Sequence, residues 1–179
     1  MNRAAFAEAM RAGADAAWEG HWEQAVSAYR RALIESPQDG DALSALGLAC
    51  SNSGHLEQAL AAYRQASTLA PENPVMLDRI AGIYERMGRA EAAAEAYVAS
   101  AQQHLRQPWG ASLAVERWQA AVRAHPNHIQ AHALLLQHYQ AGGKFAEAVE
   151  QCQALAAIYE GLGQRDVALQ IYRLALKLA

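Results

Sequence analysis

Three histidines crowd the segment HPNHIQAH, residues 125–132, and their type and spacing come nearest in this chain to a chemical site. His128 and His132 stand one helical turn apart, a spacing that can chelate zinc or nickel. His125, just before Pro126, is the one further ligand in reach, and no Cys or carboxylate completes a set. The segment therefore reads as solvated or partly packed histidines at a turn between helices, with no metal and no cofactor. Two cysteines, Cys50 and Cys152, are far apart in sequence and fall on apolar helix faces, where packing thiols are favoured over a disulfide. No G-x-S-x-G segment or justified Cys–His pair is present, and Gly142-Gly143 reads as an inter-helix turn, not a phosphate loop. The acidic residues are scattered singly. The chain is expected not to be an enzyme.

Those residues must sit on helices. Alanine supplies 43 of the 179 residues, so the 53% hydrophobic content is carried mostly by small side chains that favour helix and allow close helix approach. Only five prolines and two phenylalanines occur, and no alternating β-branched run reads as a strand, which makes the fold class all-α. The net charge is -3, with 13 Arg and two Lys (Lys144, Lys177) and no basic run, so no nucleic-acid partner is expected. Apolar runs are too short for membrane insertion. The opening MNRAAFAEAMRAG carries Glu8 and Arg11 where a signal peptide needs unbroken apolar residues, and the expectation is a soluble, cytoplasmic protein.

A period of 34 residues organises the first half. It separates Gly20, Gly54 and Gly88; Ala25, Ala59 and Ala93; Tyr29, Tyr63 and Tyr97; and Pro37 and Pro71. Each signpost has a physical reading. The glycines can take the left-handed conformation that closes a helix. The alanines allow two helices to cross closely, and the tyrosines one turn later fill the space between neighbouring units. The prolines stop the second helix. In this pattern the chain resembles the tetratricopeptide repeat (TPR) family, whose unit is a helix-turn-helix. The match is best at Leu43, Leu46, Gly47, Cys50, Ala59, Tyr63 and Pro71. The next copy has Leu77, Ile80, Ala81, Tyr84, Ala93 and Tyr97, with Leu105 in place of the proline. The first copy has alanine at the large positions of its opening helix.

After residue 88 the phase changes. The next alanine–aromatic pair, Ala114 and Trp118, arrives early. Tyr139, Gly143, Ala148 and Cys152 are followed only 20 residues later by Tyr159, Gly163, Ala168 and Tyr172. Helices near 90–106 and 144–161 are thus expected to serve two units each, giving a three-helix unit of 54 residues twice. Ten helices are predicted, near 3–18, 22–35, 40–53, 56–69, 74–87, 90–106, 111–124, 128–141, 144–161 and 164–178. Residues 1–179 are read as a single array, regular over 1–88 and helix-sharing over 89–179, with Pro108 to Gly110 a turn and not a linker. The last helix carries Val167, Leu169, Ile171, Leu174, Leu176 and Leu178 where an array normally ends on a polar cap. That face implies a binding surface, with self-association through this helix as one form, or a chain that is the N-terminal piece of a longer protein. The fragment reading is favoured.

The TPR resemblance implies a right-handed α-solenoid of antiparallel helices whose first helices line a concave groove for a peptide or partner segment. It places Met10, Arg11, Ala14 and Trp18 of the first unit in that groove. It adds Asp41, Ser44, Ala45, Leu48 and Asn52 of the second, and Val75, Asp78, Arg79, Gly82 and Arg86 of the third. One TPR subclass clamps a chaperone-tail carboxylate with Lys, Asn, Asn, Lys and Arg. Here those places hold Met10, Ala14, Ala45, Val75 and Arg79, so only Arg79 fits and a mixed apolar and polar ligand is expected. The implied function is a non-catalytic scaffold or adaptor. The alternatives are a self-associating structural scaffold and the regulatory or targeting region of a larger enzyme or sensor.

Overall fold

A computed structural model describes residues 2–179. It contains α1 (Arg3–Trp18), α2 (Trp22–Glu35), α3 (Gly40–Asn52), α4 (Leu56–Leu69), α5 (Pro74–Arg86), α6 (Ala90–His104), α7 (Ala111–Ala124), α8 (Ile129–Ala141), α9 (Phe145–Gly161) and α10 (Arg165–Leu178). Among the described residues there is no strand. Every helix limit lies within two residues of the limit expected from the sequence. The chain forms two compact units, one ending at Arg89 and one beginning at Ala90.

In the first unit each of α1 to α5 packs against the next. The spacing within a helix pair is set by a missing side chain. A Cβ on Gly47 of α3 would lie 2.6 Å from the ring of Tyr63 on α4, and one on Gly13 of α1 would lie 2.5 Å from Tyr29 on α2. Each glycine is a seat for the tyrosine of its own pair, and Tyr63 is buried to 1% exposure. Ala25 and Ala59, four residues before those tyrosines, are completely buried where the helices cross. Larger residues there would force the axes apart.

Two turn designs alternate. A first helix ends on a glycine at positive φ, as at Gly54 (φ 84), so that the His55 N–H reaches back to the Cys50 carbonyl at 2.8 Å. That six-residue closure satisfies an otherwise unpaired helix-end carbonyl, and it recurs from His21 to Ala16 and from Lys144 to Tyr139. The other turn begins on Pro37, Pro71 or Pro126 and caps the following helix two residues later. Asp39 accepts the Ala42 N–H at 2.8 Å, Asn73 accepts that of Val75 at 3.0 Å, and His128 Nδ1 accepts that of Ala131 at 3.1 Å. A histidine thus occupies the cap that Asp and Asn hold elsewhere.

In the second unit α6 to α10 likewise pack in succession, and α9 lies against both α8 and α10. The turn at Pro108 to Gly110 is tight. A Cβ on Gly110 would stand 1.6 Å from the His104 carbonyl oxygen, although its φ of -80° is open to any residue. Close approach of backbone, not handedness, demands glycine there.

Gly47→Ala is expected to destabilise the protein by about 1–3 kcal/mol, because Tyr63 must leave its seat. Gly82→Ala, in open space on α5, should gain about 0.5–1 kcal/mol from helix propensity alone. Urea melts of the two variants check this; equal effects would remove the close-approach argument.

The His128 cap also makes stability depend on pH. Burial holds its pKa below the ordinary 6.5, with repulsion from His125 adding to this and Glu95 and Glu91 opposing it. The unfolded chain therefore binds the proton more tightly than the folded one. Its contribution is complete above the unfolded value and is lost as pH falls through the lower folded value. Asparagine at this position caps without titrating, so H128N should be less acid-sensitive than the parent between about pH 7 and 5 in urea melts. Parallel profiles would show that His128 plays no part.

Candidate functional site

The residues with most chemical promise in the sequence are engaged by the fold. His132 is buried, with Nε2 donating to the Pro126 carbonyl at 2.9 Å and Nδ1 2.8 Å from the Gln151 side-chain amide. His128 uses Nδ1 as the helix cap, and its ring lies 6.1 Å from that of His125. Two of the three histidines of HPNHIQAH thus hold the turn before α8. No group of three His, Cys, Asp or Glu among the described residues is arranged to hold a metal. Cys50 and Cys152 are both free and buried, as their packing positions imply. Burial pushes both thiols up; at Cys50 the Arg30 charge opposes this and Glu23 adds to it.

What the fold leaves open in the first unit is the face carried by α1, α3 and α5. α1 and α3 are neighbours through a cluster of Ala9, Ala32 and Ala42, on which Phe6, Met10 and Leu33 pack. α3 and α5 are neighbours through a hydrogen bond from Arg86 to the Ser51 hydroxyl. Each of the fourteen residues expected in the groove keeps some exposure. Met10, Ser44, Ala45, Asp78 and Gly82 are half-buried. Arg11, Ala14, Asp41, Asn52, Arg79 and Arg86 are exposed, as are the apolar Trp18, Leu48 and Val75. Trp18, at the end of α1, is 92% exposed, which no packing requirement explains.

The two arginines are held rather than loose. Arg79 places its guanidinium 5.7 Å from the centre of the Tyr63 ring and donates to the phenol oxygen at 3.4 Å. Burial raises the Tyr63 pKa, with Arg79 opposing, so the phenol stays neutral and able to accept. Arg86 is anchored on Ser51 of α3. Fixing a guanidinium in advance lowers the entropy lost when a ligand carboxylate or carbonyl binds it. Sequence reasoning chose both arginines but missed their anchors. Tyr63 was assigned wholly to the core, and Ser51 carried no signal beyond its place one residue from Asn52. Around these cations the face is mixed: Leu48 and Val75 supply apolar contact, Asp41 and Asp78 negative charge, and the small Ala14, Ala45 and Gly82 leave room for backbone.

The tetratricopeptide repeat family models match residues 10–74 and 110–163, and a second model of the same repeat matches 151–179. The two overlap at 151–163, mostly within α9, the helix that the phase of the signposts assigns to two units. No curated protein matches the chain significantly. Solved structures share its fold. PcrH from Pseudomonas aeruginosa aligns at TM-score 0.59 and 17% identity, over 69% of this chain and 94% of that one. PcrH bound to the chaperone binding region of PopD aligns at TM-score 0.61 and 17% identity, over 69% and 93%. The TPR2B domain of yeast Sti1, in complex with pHsp70, aligns at TM-score 0.58 and 23% identity, over 66% and 94%. With the repeat's glycine, alanine and tyrosine signposts in its sequence and the repeat's models matching well over half its residues, this chain belongs to the tetratricopeptide repeat family.

Proposed function

We propose that the protein is a non-catalytic interaction module whose first unit binds an extended peptide or partner segment along α1, α3 and α5. The observation that carries this reading is the anchored pair Arg79 and Arg86 beside the exposed apolar residues Leu48 and Val75. Fixed donors orient a ligand, and apolar side chains bordering them supply contact area. The related folds of PcrH and of the Sti1 domain were solved with a PopD region and with pHsp70, respectively, which supports a binding role for the same architecture. The mixed face suits a ligand with both apolar and acidic or carbonyl groups better than a purely acidic tail, since only Arg79 occupies a place of the carboxylate clamp. The thiols are buried, and His132 has both ring nitrogens engaged, which further favours binding over catalysis. Residues 1–179 act as one module in this reading, in the cytoplasm, with the groove confined to the first unit.

Peptides selected on the intact protein from a random displayed library test the site. Leu48→Glu and the pair Arg79→Ala with Arg86→Ala should each weaken the selected peptides about tenfold or more, a change of 1.4 kcal/mol or greater. Ala61→Glu, at an exposed position of α4, should leave affinity unchanged. Peptides that bind all three proteins equally would place the site elsewhere.

A further inference from the structure

At an offset of 89 residues, the stretch from α7 to α9 follows the pattern of α2 to α4: Pro126, Tyr139, Gly143 and Ala148 fall on Pro37, Cys50, Gly54 and Ala59. Both stretches carry a cavity in the same place, between the proline turn and the C-terminal half of the later helix, α4 or α9. In the first unit it measures about 340 Å³, with Pro37 and Gln38 facing Gln65, Thr68 and Leu69. In the second it measures about 640 Å³, with Pro126 and Asn127 facing Ala154, Ala157 and Ile158. The difference has two sources. Ala154 and Ala157 stand where α4 carries the longer Gln65 and Thr68. α9 also continues to Gly161, whereas α4 stops at Leu69, the counterpart of Ile158. Gly161 and Leu162 thereby extend the floor, and a Cβ on Gly161 would meet none of the described residues within 4 Å.

The lining selects a class of occupant. Ala154, Ala157 and Gly161 give a floor of small residues, and Ile129, Ile158 and Leu162 border it with apolar surface. Among the described residues no Asp, Glu, Lys or Arg lines the cavity, so an ion placed in it would lose water and gain no counter-charge. The polar side chains, His125 and Asn127, stand together on the wall formed by the turn before α8. His125 Nδ1 is buried and has no hydrogen-bond partner among the described residues. A peptide would bring N–H and C=O groups along the whole floor, where Ala154, Ala157 and Gly161 have no side-chain partner for them. A compact ligand with one polar end needs a partner at that end alone. The volume lies within the range of small-molecule sites, roughly 300–1,000 Å³, and the first-unit cavity only at its lower edge.

We propose that the cavity of the second unit is a site for a small neutral molecule, mostly apolar, with one hydrogen-bonding end directed at His125 and Asn127. Apolar contact along α9 supplies the affinity, and the turn before α8 sets the orientation.

Backbone amide shifts of the intact chain, titrated with 2-naphthol, test the site. The probe is a neutral fused ring with one hydroxyl. Saturable shifts should cluster at His125, Asn127, Ala157, Ile158 and Leu162, with a midpoint below about 1 mM. 2-Naphthoate, the same ring with a carboxylate, should bind about tenfold more weakly or less. The double variant A154Q with A157T restores the side chains of α4 and should weaken naphthol about tenfold or more. Its melting temperature should stay that of the parent, because Ala154 is half-buried and Ala157 exposed. Shifts that never saturate, shifts centred outside these residues, equal affinity for naphthoate, or full binding by the double variant overturns the proposal. A library-selected peptide that shifts these amides where naphthol does not would assign the cavity to a partner's side chain and overturn it as well. The groove test can succeed or fail without changing this result, since every lining residue lies in the second unit.

Discussion

The first unit depends on a single kind of close approach: a tyrosine ring lying where a first-helix residue has no side chain. Gly13 receives Tyr29 and Gly47 receives Tyr63, and in both cases even one methyl group would overlap the ring. That contact fixes how near the two helices of a pair run. The distance in turn lets Ala25 and Ala59 close the crossing completely. It also decides which residues remain outside: once Tyr63 faces Gly47, the residues of α3 that point away from α4 form the open face. Tyr63 takes part in both roles, as a core side chain by its ring and as the anchor of Arg79 by its hydroxyl.

The fold was legible because the repeat wrote each requirement several times. Glycine at Gly20 and Gly54 marks the left-handed turn, alanine the crossing and tyrosine the filled seat, all in phase. Even the shift of phase after Gly88 could be followed, since Ala114 with Trp118 and Ala148 with Cys152 preserve the same spacing. Other constraints left no periodic trace. Gly110 reads as an ordinary turn glycine, yet its φ is negative and the His104 carbonyl is what excludes a side chain. His128 looks like half of a metal pair and is a helix cap, a role hidden because the two earlier copies use Asp39 and Asn73.

The candidate face was legible only in part, for a related reason. Position within the repeat names fourteen residues for that face, and each keeps some exposure, five of them being half-buried. It could not foresee how they are held, because the anchors of Arg79 and Arg86 lie on other helices, 16 and 35 residues away in sequence. Those tethers turn a list of outward residues into a surface with fixed charge.

The central claim, that α1, α3 and α5 form the binding face, is tested most directly by backbone amide chemical-shift mapping of the intact protein with a library-selected peptide. The account predicts that the large shifts cluster at Leu48, Asn52, Val75, Arg79 and Arg86, while α7 to α10 stay still. Shifts centred on the second unit, with those residues unmoved, would contradict it.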